Sequence, residues 1–153
     1  MTHDHPASTV ILPHAAPASP YRRLLLFGIR RMAAGGINDA HAAHALFTGF
    51  GLSYRRPLVL LRALMAELSR VSTRKLTVAP CCCPRMTDDE ALLLDVMASA
   101  SSDADGAHRA LTRLLHVRTC LGVLGSAQAV DAAFTDCGMP LSDCRTCSQN
   151  EAF

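Results

Sequence analysis

The chain has 153 residues; half of them are apolar, few are aromatic and none is Trp. This length suits one domain with a sizeable core, and packing by aliphatic side chains and Ala favours closely packed helices. The net charge of +2 excludes a strongly basic or acidic chain, but residues 1–79 hold ten Lys and Arg against three Asp and Glu, and residues 80–153 hold five against ten. We expect the two halves to neutralise each other within one fold; a basic face for an acidic partner is the alternative.

The first half of the chain predicts a leader and three helices. Residues 1–19 are rich in Pro, Ala, His, Ser and Thr, which is typical of a disordered leader. Ser19 and Pro20 predict a helix N-cap followed by Pro at the first helical position. Apolar periodicity and capping residues predict helices over 20–34, over 38–50 with Asn38 as the cap, and over 57–70.

An extended segment around residues 74–84 separates these helices from three more. Residues 76–78 have the composition of a strand, and the prolines at 80 and 84 exclude a helix. Thr87 and Glu90 predict a capping box that opens a helix over 87–100, followed by helices over 103–116 and 126–137. The sequence thus predicts an all-α, single-domain bundle of five to six helices over residues 20–138. Residues 139–153 are expected to form a flexible, cysteine-containing tail.

The sequence indicates neither a membrane span nor export. The apolar stretch at 58–68 is interrupted by Arg62 and Glu67, so it predicts a core helix. The first six residues contain no Lys or Arg, and the apolar run at 10–12 is too short for a signal peptide. We therefore expect a cytoplasmic protein with reduced thiols. Its seven cysteines are an odd number, which a complete set of internal disulfides cannot use.

Three consecutive cysteines between two prolines, Cys81 to Cys83, are the clearest chemical signal in the chain. Thiolates bind soft metals or exchange with disulfides, so the run predicts metal or redox chemistry. In an extended segment Cys81 and Cys83 are expected to point to one side and Cys82 to the other. The plain alternative is that these thiols are partly buried, small apolar side chains.

Cys144 and Cys147 form a C-x-x-C pair, a spacing found in zinc knuckles and in redox pairs. Together with Cys81 and Cys83 they would complete a tetrahedral site of four thiolates for zinc or another thiophilic metal. Arg145 lies inside the pair and the sequence has no second C-x-x-C, which weakens this hypothesis. The lack of a predicted βαβ unit argues against a thioredoxin-like pair.

Two histidines are candidate additional ligands. His41 and His44 are three residues apart, so they share one face of the second predicted helix. A metal-ligand pair has this spacing, and so do two histidines that simply face solvent.

Three Arg doublets lie in the first half of the chain, and they supply the candidate partner-binding residues Arg23, Arg30, Arg31, Arg55 and Arg56. Guanidinium groups bind phosphate and carboxylate bidentately, which suits a nucleic acid or an acidic protein. On the first helix the spacing places Arg23, Arg30 and Arg31 on a common flank. The alternative is that these arginines are solvated or pair with the acidic half of the chain.

Several motifs occur in an order that resembles a known family. They are Arg30-Arg31-Met32, Asp39-Ala40-His41-Ala42-Ala43-His44, Arg55-Arg56-Pro57-Leu58 and Pro80-Cys81-Cys82-Cys83. Over roughly residues 20–135 the chain is similar to a family of short alphaproteobacterial proteins without an assigned function. The resemblance implies a helical cytoplasmic protein and no particular activity.

These observations predict a small cytoplasmic binding or regulatory protein, because the chain has no phosphate loop, nucleophile elbow or catalytic triad. The first hypothesis is a thiophilic metal held by Cys81, Cys82 and Cys83 with His41 and His44. The alternatives are a nucleic-acid or acidic-partner binder that uses the Arg doublets, and a thiol redox protein. A homodimer is left open, with residues 76–78 as the candidate pairing strand.

Overall fold

The computed structural model describes residues 12–143, and these form six α-helices and one short antiparallel pair of strands. The all-α bundle predicted from the sequence is confirmed. The helices are α1 Pro20–Gly35, α2 Ala40–Phe50, α3 Arg55–Val71, α4 Asp88–Ser99, α5 Ala104–Leu115 and α6 Leu121–Asp136. Strand β1, His14–Ala15, pairs with β2, Arg85–Met86, so that His14 lies opposite Met86. Within residues 12–143 no helix is both long and apolar enough to cross a membrane.

Local capping residues fix the starts of several helices. The Ser19 hydroxyl accepts a hydrogen bond from the Arg22 backbone N–H at 3.4 Å, and Pro20 opens α1 as predicted. Thr87 and Glu90 form the predicted capping box of α4. For α2 the predicted cap is wrong by one position: the Asp39 carboxylate, and not the Asn38 side chain, accepts the Ala42 N–H at 2.9 Å.

Two helix boundaries differ from the sequence prediction. Helix α3 begins at Arg55 and not at Pro57, because a 3₁₀ turn over Gly51–Tyr54 leads directly into it. Helix α6 begins at Leu121 and not at Ser126. Its first turns contain two glycines, which disfavour a helix locally. Burial of Val123 and Leu124 in the core compensates for that cost.

Residues 76–78, in the segment before α4, do not form the predicted strand. The Thr77 N–H donates to the Asp89 carboxylate at 2.7 Å, and the Thr77 carbonyl accepts from the Thr87 hydroxyl at 2.7 Å. These groups are therefore bound by the start of α4 and not by a neighbouring strand. The short strand of the second half lies instead at Arg85–Met86.

Parts of both predicted terminal segments contact the bundle. Residues 12–19 were expected to belong to the disordered leader, but the Arg85 guanidinium donates to the carbonyls of Leu12 at 2.6 Å and Pro13 at 2.9 Å. Leu141, expected in the flexible tail, is 1% exposed and packs in the hydrophobic core. Residues 1–11 and 144–153 lie outside the described part of the chain.

Helices α3 and α6 form the centre of the bundle and run antiparallel. Arg56 at the start of α3 pairs with Asp136 at the end of α6 at 2.6 Å. A Cβ on Gly122, at the start of α6, would lie 3.1 Å from the Glu67 carboxylate in the last part of α3. The helices around them bury a continuous apolar core that includes Leu25, Leu61, Leu64, Met97, Leu111, Val123 and Phe134.

Ion pairs join the basic half of the chain to the acidic half, as the charge distribution predicts. Arg22 pairs with Asp95 at 2.6 Å, Arg30 with Glu90 at 2.7 Å, and Arg74 with Asp89. The two halves therefore neutralise part of each other's charge inside one fold.

Candidate functional site

The three consecutive cysteines form a tight turn, which we call the cysteine turn (residues 80–83). The Cys83 N–H donates to the Pro80 carbonyl at 3.0 Å, so the chain reverses at Cys81 and Cys82. The predicted extended run with alternating side chains is therefore wrong. Cys82 is exposed, Cys81 and Cys83 are half-buried, and all three are free thiols.

A buried arginine of α1 lies beneath the cysteine turn. The Arg30 Nη1 donates to the Cys83 carbonyl at 2.8 Å, and its Nη2 donates to the Arg85 carbonyl at 2.7 Å. The same guanidinium donates to both Glu90 oxygens, at 2.7 Å from Nε and 3.0 Å from Nη2. The Arg30 side chain is 3% exposed and that of Glu90 is 1% exposed. The prediction that Arg30 binds a partner on the surface is thus wrong, because Glu90 and two carbonyls hold it in the interior.

Glu90 completes the support of the turn from the other side. Its Oε1 accepts the Ala79 N–H at 3.0 Å, and its Oε2 accepts the Thr87 N–H at 2.9 Å. The hydrogen bond from Arg30 to Glu90 raises the pKa of Arg30 against the opposing effect of burial. Sequence reasoning assigned Glu90 only to the capping box, and the sequence carries no signal for its pairing with Arg30. The ion pair fixes both ends of the segment that carries the cysteines.

A second arginine lies beside the turn. Arg31 donates to the Asp39 carboxylate from Nη2 at 2.9 Å and from Nε at 3.2 Å. This hydrogen bond is the main reason why the pKa of Arg31 is raised, and the charge of the nearby Cys81 adds a smaller effect. The same Arg31 bond, together with the Ala42 N–H, lowers the pKa of Asp39 to about 2. The structure therefore brings together two sequence signals that were separate, the cysteine run and the doublet Arg30-Arg31.

The histidines do not complete a metal site with the turn. His41 and His44 are exposed on α2, and His41 lies near enough to Asp39 for its charge to contribute to the low pKa of that carboxyl. Among residues 12–143 no group of three or more His, Cys, Asp or Glu is placed to hold a metal ion. The predicted set of Cys81, Cys82 and Cys83 with His41 and His44 is thus not assembled. Cys144 and Cys147 lie outside the described residues, so their metal role stays a prediction.

The remaining predicted arginines lie apart from the turn and do not form one flank with it. Arg23 is exposed and its Nε donates to the Pro17 carbonyl at 2.6 Å. Arg56 pairs with Asp136 across the bundle, and Arg55 is exposed at the start of α3. The common flank predicted for Arg23, Arg30 and Arg31 is wrong because Arg30 points into the core.

Fold and site together define a small α-helical protein that carries a thiol-bearing turn on a buried arginine–glutamate pair. The chain belongs to a family of unknown function, DUF6628, which matches residues 1–139. The predicted membership in an uncharacterised family is confirmed, and the match extends beyond residues 20–135 on both sides. Comparison with the curated proteins finds no match, and neither does comparison with the solved structures.

Proposed function

We propose that this protein is a regulatory protein whose Cys81 undergoes reversible thiol modification in a reducing compartment, the cytoplasm. The single observation that carries the proposal is the position of Cys81 near two guanidinium groups, since its charge contributes to the raised pKa of both Arg30 and Arg31. Positive charge beside a thiol interacts most favourably with the thiolate, which is the nucleophilic form. Arg30 adds a second guanidinium, since the charges of both Cys83 and Cys81 contribute to its raised pKa.

Cys81 is favoured over the other thiols because it combines access with this electrostatic environment. Cys82 is more exposed, whereas Cys120 is buried and desolvation raises the pKa of its thiol. The charge of Cys83 contributes to the raised pKa of Arg30, whereas that of Cys81 contributes to the raised pKa of both Arg30 and Arg31. Half-burial of Cys81 still leaves part of the side chain open to a small reagent.

The proposed step is thiol–disulfide exchange with a low-molecular-weight disulfide such as glutathione disulfide. The Cys81 thiolate attacks one sulfur of the disulfide, and a new S–S bond forms as the old one breaks. The second half of the disulfide leaves as a thiolate and takes a proton from water. Excess glutathione reverses the step, so the proposed role is that of a switch and not of a catalyst.

The rates at which individual cysteines are alkylated test the proposal. Iodoacetamide is added to the reduced protein near neutral pH, and peptide mass spectrometry follows each cysteine with time. We expect Cys81 to react at least about tenfold faster than Cys82, although Cys82 is more exposed. Arg31→Gln should slow Cys81, and Arg31→Lys should restore most of the rate. Arg23→Gln, a change at an exposed arginine of the same helix, is the matched control.

Two results would contradict the proposal. If Cys82 reacts fastest, exposure alone decides reactivity. If Arg31→Gln and Arg23→Gln have the same alkylation rate at Cys81, the position of Arg31 has no effect on the reactivity of the thiol.

A second experiment tests the exchange step itself. Incubation of the wild-type protein with glutathione disulfide should add one glutathione per chain, and Cys81→Ser should abolish the addition.

The other hypotheses stay predictions with their own tests. Elemental analysis of protein purified under reducing conditions tests a thiophilic metal held with Cys144 and Cys147. Binding to mixed DNA or RNA that falls steeply with salt tests the nucleic-acid alternative. An acidic partner is likewise a proposal, supported by the arginine content, and an alphaproteobacterial origin is one supported by the sequence resemblance. A homodimer that pairs through residues 76–78 stays a prediction.

A further inference from the structure

A cavity of about 450 Å³ opens beside the segment that leads to the cysteine turn. Its walls are α1, α3, residues 72–78 and the start of α4. Much of the wall is apolar and comes from Ile29, Met32, Met65, Leu68, Leu76 and Leu93. This volume falls in the range of roughly 300–1,000 Å³ that is typical of small-molecule sites. The cavity is therefore large enough for an organic molecule of moderate size.

The charged groups of the cavity wall are already paired. Arg74 donates from Nε to the Leu114 carbonyl at 2.6 Å, from Nη1 to the Lys75 carbonyl at 3.1 Å, and from Nη2 to Asp89. The second oxygen of Asp89 accepts the Thr77 N–H. A charged ligand would have to displace these bonds, and this would leave a half-buried charge without its partner.

Glu90 also lines the cavity and is equally engaged. Each of its oxygens accepts one hydrogen bond from Arg30 and one from a backbone N–H. The hydroxyl of Ser69 donates to the Met65 carbonyl at 2.9 Å, and that of Ser72 donates to the Arg74 carbonyl at 2.7 Å. The wall thus presents apolar surface together with charges that are neutralised in pairs.

Two flexible side chains in the cavity wall can adapt to a bound molecule. Met32 and Met65 come from two different helices, and unbranched thioether side chains adapt to the shape of a bound molecule. The wall at residues 72–78 is neither helix nor strand.

From this lining we infer that the cavity is a binding site for a neutral, mainly apolar small molecule. Hydrophobic contact supplies the affinity, because the charged side chains of the wall, Arg74, Asp89 and Glu90, are already paired. The site is distinct from the cysteine turn and does not depend on the proposed thiol chemistry.

Titration with the neutral, apolar dye Nile red tests the inference. Wild-type protein should bind the dye saturably, with one site per chain. Ala33→Leu adds bulk to the cavity wall, whereas Ala34→Leu adds the same bulk at the next exposed position of the last turn of α1. Both changes keep a good helix former, so the fold should tolerate them equally. We expect at least about tenfold weaker binding for Ala33→Leu and less than about twofold change for Ala34→Leu.

A second pair of variants approaches the cavity from α3. Ser69→Leu fills it from the opposite wall, and Ala66→Leu is the exposed control on the same helix. If far-UV circular dichroism shows that Ala33→Leu does not fold, dye binding to Ser69→Leu and Ala66→Leu tests the inference instead. The inference is overturned if wild type shows no saturable binding, or if the filling variants bind the dye as well as their controls. Cys81→Ser should leave the affinity unchanged, which separates this site from the thiol proposal.

Discussion

Arg30 and Glu90 form a bidentate ion pair in the interior of the bundle, although 60 residues separate them in the sequence. The pair joins α1 to α4 and also binds four backbone groups of the segment between residues 79 and 87. Breaking a buried pair leaves an uncompensated charge and is far more costly than breaking a surface pair. The ion pair is therefore a main support of the cysteine turn, beside the pairing of β1 with β2.

Replacement of Glu90 by Gln should destabilise the protein by about 3 kcal/mol, since Arg30 keeps its charge and loses its counter-ion. Urea unfolding followed by far-UV circular dichroism measures the change. Asp105→Asn is the matched control, because Asp105 is also an acid in the first turn of its helix but is exposed. It should change the stability by less than about 0.5 kcal/mol. Equal effects of the two variants would show that burial of the pair is unimportant.

Removal of both charges should not restore stability. In Arg30→Met combined with Glu90→Leu, the buried charges are gone, but the N–H groups of Ala79 and Thr87 lose their acceptor. Unsatisfied buried groups cost about 1–3 kcal/mol each. We expect the double variant to unfold at a lower urea concentration than wild type. A double variant as stable as wild type would mean that the segment finds other partners.

Thr87→Ala should lower the free energy of unfolding by about 1 kcal/mol, a typical value for loss of an N-cap. The hydroxyl accepts the Glu90 N–H at 3.1 Å and donates to the Thr77 carbonyl at 2.7 Å, so both bonds are lost. Thr87→Ser retains the hydroxyl and should lose much less. Thermal unfolding of the two variants measures the difference, and equal losses would assign the effect to the methyl group.

Asp39→Asn should reduce stability at neutral pH and have less effect in acid. The pKa of Asp39 in the folded protein is lowered from 3.8 to about 2, chiefly by Arg31. A lowered pKa stabilises the fold above the unfolded-state value, and this contribution is lost as the pH falls through the folded-state value. The difference between wild type and variant should therefore be greatest above about pH 4 and shrink toward pH 2. Asn retains the ability to cap α2, so the comparison isolates the charge.

Urea midpoints of both proteins at about pH 7, 4 and 2.5 test this dependence. A difference that stays constant across these values would contradict the role of the Arg31 ion pair.

His116→Gly should raise the free energy of unfolding by about 0.5–1 kcal/mol. His116 ends α5 in the left-handed conformation, with φ 54°, where a Cβ is disfavoured and Gly is usual. The matched change Arg113→Gly, inside the same helix, should be destabilising. Thermal unfolding of both variants tests whether His116 is strained by its left-handed conformation, and destabilisation by His116→Gly would refute this.

The sequence by itself determined most of the helices. Pro20 after Ser19 and the pair Thr87 and Glu90 mark helix starts, because capping bonds join residues only three positions apart. Prediction from the sequence failed where tertiary contacts override the local conformational preference. Helix α6 begins earlier than predicted because Val123 and Leu124 in its first turn are buried in the core. Thr77 bonds to the start of α4 and not to a neighbouring strand.

Only the tertiary structure decided what surrounds the cysteines. Helical spacing predicted a common flank for Arg23, Arg30 and Arg31, and this was wrong because periodicity does not say which face of α1 meets a distant carboxylate. The fold places Arg30 inward on Glu90 and Arg31 beside Asp39, and it leaves His41 and His44 exposed. Local patterns report bonds between near neighbours, whereas partners 60 residues apart are set by the packing of whole helices.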